Sequence, residues 1–487
     1  MLKVRLLALG GGALLAGCQL APEHVRPGLP TAPAFPVYGD TTVIGQRATE
    51  IGWRDFFADA QLEALVAAAL TRNRDLAVAV AQIEEARGLY RIQDAERLPT
   101  LGANASATRS RSGGFGGVQG QPGTGGGTGG GVAAGGSSTF NIYSVGVAVS
   151  SFELDFWGRV RNLSNAARSQ YFATIAAERA FRLSLIRDVA AAYFASREAS
   201  ERIALAEATV RSRQEGLRIA RRRLDAGVTS ALDFRQAESL LTQAETDLAA
   251  VRLARAQANN LLAVLVGGPI PTPLPTPLTL AAQKSSVTLA EGLPSDLLVA
   301  RPDVIAAEER LRAARANIGA ARAAFYPSIS LTGSLGFAST SLGNLVGSDG
   351  FNWSFGPSID LPIFDWGRRK GNLSAAEARE SITVAEYERT VQGAFREVAD
   401  ALAGRRWLAE QVAAQTRATE AQRQIARLAR IRYREGVANF LEVLDAERNL
   451  FAAEQALIQV RRAELDNLVS LYVALGGGQI EAATAVR

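Results

Sequence analysis

Along residues 329–337 the chain alternates, with Ile329, Leu331, Gly333, Leu335 and Phe337 on odd positions and Ser330, Thr332, Ser334 and Gly336 on even ones. A period of two puts the two classes on opposite faces of a strand, one apolar and one wet. Residues 351–361 repeat the pattern: Phe351, Trp353, Phe355, Ile359 and Leu361 stand against Asn352, Ser354, Gly356, Ser358 and Asp360. The loop around 342–350 makes these two runs a hairpin. A weaker pair stands earlier, at 101–112 and 141–152, with Tyr143, Val145, Val147 and Val149 sharing a face. The pattern predicts four strands of about ten residues each.

After each hairpin the period changes. No proline occurs between Pro122 and Pro269, and none after Pro362. The stretch from Gly158 to Gly227, about 70 residues, reads as a helix on the order of 100 Å long, well beyond the usual globular helix. Past Gly227, Ala237, Leu241, Ala244, Leu248, Val251, Arg255, Ala258, Leu262 and Leu265 alternate spacings of four and three. That is a heptad seam. The second copy keeps the register as Ala446, Leu450, Ala453, Leu457, Val460, Glu464, Asn467, Leu471 and Ala474, and the alanines allow close helix approach.

The chain repeats itself. Trp157-Gly158-Arg159 recurs as Trp366-Gly367-Arg368, Gly227-Val228 as Gly436-Val437 and Gly267-Gly268 as Gly476-Gly477, each at an offset of 209. Earlier in the halves the offset is 228, matching Asp75 to Asp303, Ala86-Arg87 to Ala314-Arg315 and Pro99 to Pro327. The difference of 19 places an insertion in the glycine-rich run at 113–136, which has no strand-turn-helix context for a phosphate cradle. Each half is one structural unit, a hairpin plus long helices, and Pro269, Pro271, Pro273, Pro275 and Pro277 form a stiff joint between them. The boundaries expected are repeat 1 at 56–268 with its hairpin at about 99–155, a linker at 269–300, repeat 2 at 301–478 with its hairpin at about 327–364, and a tail at 479–487.

One phrase is written twice, LDAGVTSALDFRQAE at 224–238 and YREGVANFLEVLDAE at 433–447. Each falls where an outgoing helix ends at glycine and a returning helix begins. Ser230 to Asp233 and Asn439 to Glu442 have capping-box spacing, which gives Asp233 and Glu442 a local structural task. Asp445, one turn further in, has none. The adjacent Arg221-Arg222-Arg223 run reads as a solvated face.

Nothing in the chain is an apolar run of 18 residues or more. A chain of this kind spans a membrane only as a closed barrel, and four strands fall short of the usual minimum of about eight. Oligomerisation follows, with dimers supplying eight strands and trimers twelve, and the counting leaves both open. At the start, Lys3 and Arg5, the apolar stretch 6–16 and Leu15-Ala16-Gly17-Cys18 make an export signal at 1–17 that is too short to span a bilayer. The last four residues resemble the lipobox of bacterial lipoproteins, whose cysteine is acylated. Cys18 is the only cysteine, so disulfides are excluded. The 53 Lys and Arg are interspersed with 48 Asp and Glu for a net charge of +5, a balance that does not point to nucleic acid. One histidine, His24, has no second histidine or cysteine to complete a metal site or a nucleophile-base pair, which argues against an enzyme.

Taken together, these residues resemble the TolC/NodT-type outer-membrane factor family, the exit ducts of tripartite efflux pumps. The resemblance rests on Cys18 with Pro22, Arg26 and Pro27; Arg301-Pro302-Asp303-Val304; Phe325-Tyr326-Pro327-Ser328-Ile329; Leu361-Pro362-Ile363-Phe364-Asp365; and 433–447. His24 stands where the family usually has tyrosine. The resemblance implies a mainly α fold with a membrane β-barrel, in which a homotrimer shares a 12-stranded β-barrel continued by an α-helical barrel in the periplasm. It further implies a lipid-anchored segment at 18–55 and an equatorial belt from the terminal and middle segments. The partners it implies are outer-membrane lipid, a periplasmic adaptor and an inner-membrane pump, and it implies no cofactor. On this reading Gly227, Val228 and Thr229 with Gly436, Val437 and Ala438 are adaptor-docking tips, and Asp445, Glu442 and Asp233 ring a periplasmic gate. The competing expectation is a lipid-anchored coiled coil that conducts nothing.

Overall fold

The computed structural model describes residues 19–36, 45–112, 138–283, 289 and 295–481. The signal, Cys18 and the glycine-rich insertion lie outside them. A helical turn α1 (Trp53–Phe56) is followed by α2 (Ala60–Arg72), α3 (Arg74–Ala95), strands β1 (Leu101–Ser112) and β2 (Ser138–Glu153), α4 (Arg159–Asp225) and α5 (Ala231–Val266). The second half brings α6 (Pro302–Ala323), β3 (Ser328–Ser339), β4 (Phe351–Asp360), α7 (Arg368–Arg434) and α8 (Phe440–Ala474). The long helices α4 and α7 have 67 residues each, which at 1.5 Å per residue is about 100 Å, as the proline-free runs predict. Their return helices have 36 and 35.

Packing divides the chain differently from repetition. One compact unit takes residues up to 24 with 87–169 and 312–381, and the other takes 25–86, 170–311 and 382 onward. Each unit draws on both halves.

The first unit holds an antiparallel sheet in the order β1-β2-β3-β4. Odd positions pair with odd, as in Ala105 with Val145, Val145 with Phe337 and Phe337 with Phe351. One face therefore carries Val145, Val147, Val149, Leu335, Trp353 and Phe355. The other carries serine hydroxyls that pair across strands, Ser106 with Ser144 at 2.8 Å and both Ser330 with Ser358 and Ser334 with Ser354 at 2.7 Å. Between Val149 and Phe152, β2 holds one residue more than β3 opposes, a bulge. Below it the Leu154 amide donates to the Ile329 carbonyl at 2.8 Å. The Trp157 indole N–H donates to the Pro327 carbonyl at 2.8 Å, and its ring stacks on Tyr326 with centroids 4.7 Å apart. The segment after Cys18 lies along α6: Arg322 donates to the Leu20 carbonyl at 3.3 Å, and a Cβ at Gly319 would meet Ala21 at 2.7 Å.

The second unit has the larger apolar core, where α1 and α2 pack on α4, α5, α7 and α8 and Phe56 stacks on Tyr472 at 3.9 Å. Asp59, 1% exposed, caps α2 through the Gln61 amide at 2.9 Å. It also accepts from the Tyr193 hydroxyl at 2.6 Å, the Leu278 amide at 3.0 Å and the Gln283 amide at 2.9 Å. The proline-rich segment is thus pinned at Leu278, with Ile270 and Leu274 packed against the core. It is part of the packing, more than the joint expected from its prolines. Along the seams Ala237, Ala244, Val251 and Leu262 are buried, as are Ala446, Leu457, Val460 and Leu471, while Arg255 is exposed.

Candidate functional site

Both repeated phrases are helix-helix turns in the second unit. At the end of α4 the Val228 amide donates to the Arg223 carbonyl at 2.9 Å and the Gly227 amide to Leu224 at 2.9 Å; at the end of α7, Val437 donates to Arg432 at 3.0 Å and Gly436 to Tyr433 at 3.1 Å. The bridging glycines have φ of 72° and 74°, the left-handed conformation in which a Cβ is crowded. The turn is made twice with one hydrogen-bond pattern.

The returning helices begin differently. Ser230 and Asp233 form the complete capping box, the Asp233 amide donating to Ser230 Oγ at 3.2 Å and the carboxylate receiving the Ser230 amide at 3.4 Å. The Thr229 hydroxyl donates to the same carboxylate at 2.5 Å and, foremost among its partners, holds Asp233 below the usual carboxylate range. In the second turn Asn439 caps the Glu442 amide at 3.0 Å, but the Glu442 carboxylate faces Arg432 at 3.5 Å instead of reaching back. The expected second box is therefore half made. Asp445, expected to have no local partner, pairs with Arg448 at 3.0 Å on its own helix.

The tips offer small, neutral and exposed surface. Val228 and Val437 are 64% and 66% exposed, Gly227 and Gly436 are exposed, and Thr229 and Ala438 are half-buried. Behind the tips the two halves are tied together. Arg223 donates to the Tyr433 hydroxyl and its guanidinium lies 5.1 Å over the same ring, which packs on Phe440 at 5.2 Å. Arg221 pairs with Asp225 at 3.3 Å and covers Phe234 at 5.3 Å. Arg221 and Arg223 are thus engaged, and Arg223 is a link the sequence pattern did not reveal; its only signal was the offset of 209 that carries it onto Arg432, a cation four residues before each glycine. Farther along the helices Glu198 receives Arg202 and Arg462, each at 3.0 Å, and Arg462 also meets Asp466 at 3.1 Å. Burial pushes the Asp466 carboxyl up to about 6 against the pull of Arg462.

Cys18 lies outside the described residues. Among those residues no group of His, Cys, Asp and Glu is arranged to hold a metal, and no helix is long and apolar enough to cross a membrane. The last fact says nothing against the sheet.

The sequence profile of the outer membrane efflux protein family matches residues 65–268 and 293–477. The cation efflux system protein CusC of Escherichia coli O6:H1 is 40% identical over 98% of this chain and 99% of its own length. The solvent efflux pump outer membrane protein SrpC of Pseudomonas putida is 41% identical over 98% and 99%. Among solved structures, the open state of the Neisseria gonorrhoeae MtrE outer membrane channel superposes with a TM-score of 0.85 at 40% identity, covering 96% of this chain and all of that one. These likenesses speak for a duct and against the non-conducting coiled coil.

Proposed function

The chain belongs to the outer membrane efflux protein family, and on that premise we propose the form in which this outer-membrane channel works. Three copies share one barrel of twelve strands, docked through the helix-helix turns to a periplasmic adaptor and an inner-membrane pump. The observation that carries this reading is the sheet itself, with four strands, one apolar face and two unpaired edges, in a chain whose described helices offer no membrane span.

The division into 1–17, 18–55, 56–268, 269–300, 301–478 and 479–487 belongs to the same proposal. Cys18 is the acylated first residue of the mature chain. The run from Gln19 along α6 leads its acyl chains to Arg322, six residues before β3. Relatives of near-equal identity carry the names of a cation system and a solvent pump, which supports a duct that passes cargo without reading it. Transport then needs no cofactor, the drive coming from the inner-membrane pump.

At the tips, Gly227, Val228, Thr229, Gly436, Val437 and Ala438 accept an adaptor helix hairpin, since they are small and uncharged. Asp445, Glu442 and Asp233 form the acidic lining of the gate around the threefold axis. Like charges at 4 Å repel by roughly 1 kcal/mol even in bulk water, so closure has to be held by packing and hydrogen bonds between neighbouring tip helices. The test is complementation: in a strain lacking its outer-membrane channel but keeping pump and adaptor, this chain restores efflux. If correctly inserted protein leaves the strain as sensitive as the deletion, the docking reading falls.

A further inference from the structure

The internal repeat shows which surface a second copy must present. Trp157, just past β2, sits on Tyr326-Pro327 at the start of β3: its indole donates to the Pro327 carbonyl at 2.8 Å and its ring stacks on Tyr326. The repeat offsets carry Trp157 onto Trp366, just past β4, and Tyr326-Pro327 onto Leu98-Pro99, just before β1. These two counterparts do not meet within the chain, because β1 and β4 are the opposite edges of the sheet. Trp366 is 90% exposed, the neighbouring Ile363 91% and Leu98 70%. Trp366 also has φ of 56°, a left-handed backbone that costs a bulky residue on the order of 1 kcal/mol and that Trp157 does not adopt.

Resting on the trimer reading above, we propose that Trp366 and β4 of one copy seat on Leu98-Pro99 and β1 of the next. The joint is an intermolecular copy of the one at Trp157, with Ser358 opposite Ser106. The register follows from the internal pairing. Below the bulge Phe152 opposes Leu331, which the offsets carry onto Leu361 opposite Ala103 of the neighbour. The pairing of β4 with β3 is continuous, without the extra residue that β2 holds, so the register runs up evenly through Ile359 opposite Ala105 and Ser354 opposite Ser110.

Two features that took no part in setting this register agree with it. Within the chain, above the bulge, odd positions pair with odd ones, which keeps the apolar face continuous. The proposed register is also odd to odd, whereas a slip by one residue would turn that face inward. Second, Ser106 already bonds Ser144 and Ser358 already bonds Ser330. Placing Ser106 against Ser358 joins the two pairs into one unbroken row of hydroxyls across the subunit boundary.

Three double variants of the full-length protein test the joint: Ser106→Cys with Ser358→Cys, Ser106→Cys with Ser354→Cys, and Ser110→Cys with Ser358→Cys. Directly opposite positions have Cβ atoms about 4.5–5.5 Å apart, within reach of a disulfide after small adjustment, whereas positions four residues out of step are not. After mild oxidation of membranes, the first pair is expected to move most of the protein to a trimer band on a denaturing gel. The other pairs, each single variant and the wild type, whose one thiol is Cys18, are expected to stay monomeric. Mass in detergent, measured on the same samples before oxidation, separates the two layers of the claim. Trimers in which a shifted pair links instead overturn the register, and trimers in which none links overturn the joint. A monomer overturns the trimer reading and the joint with it. Trp366→Ala provides a second readout: trimers should dissociate at a lower temperature, and an unchanged dissociation temperature removes Trp366 from the contact.

Discussion

A buried carboxylate is stable only where donors fill its lone pairs, and Asp59 gathers them from α2, α4 and the proline-rich linker. Replacing it with alanine leaves the Leu278 amide without its acceptor and the Tyr193 hydroxyl with only the Gln61 side-chain oxygen at 3.2 Å. Asp59→Ala should therefore cost about 3 kcal/mol or more in denaturant unfolding of the purified protein, and a change below 1 kcal/mol would show that the linker is not held there. None of this was legible in the sequence, where Asp59 is one acid before a helix and its partners lie 134 or more residues away except for the Gln61 cap. Asp466 yields a pH prediction. Its folded value of about 6 stands above the ordinary aspartate value of 3.8, so the native state keeps a proton that the unfolded chain has lost between those limits. Its contribution to stability is full below about 4 and falls by on the order of 2 kcal/mol as pH rises through 6. Compared with Asp466→Asn, thermal melts of the wild type should lose stability over that window, and parallel profiles would refute the assignment.

Elements were far more legible. Alternation from 329 to 337 and from 351 to 361 marked β3 and β4 to within two residues of their bounds, because each strand has one wet face. Absence of proline marked α4 and α7, and the doubled phrase marked their ends. What escaped was whatever depends on a neighbour: the bulge in β2, the half-made box at Glu442 and the tie from Arg223 to Tyr433. The turns themselves carry the next prediction. Val228→Glu and Ala438→Glu leave the glycine-bridged turn intact, since Val228 is exposed and neither side chain caps a helix. Each should abolish efflux while trimers form normally by mass in detergent, and normal pumping by either variant would place the adaptor contact elsewhere.

At the scale of the whole molecule, the repeat let the sequence say that four strands need company, but not how many copies supply it. The compact units cut across the halves because a strand from one half finds its neighbour in the other, as β2 does in β3. In the proposed threefold assembly Asp445, paired with Arg448 on its own helix, would join a ring of carboxylates that one chain cannot form. Asp445→Ala should lower cation selectivity and block by multivalent cations without loosening the trimer. Unchanged selectivity in an intact trimer would leave Asp445 as an ordinary helix-surface acid paired with Arg448.

The central claim is that this chain conducts, and a planar bilayer tests it most directly. Purified full-length protein, confirmed as a trimer in detergent, should insert to give discrete, uniform conductance steps that favour cations over anions. A membrane that takes up the trimer and shows no steps would contradict the account.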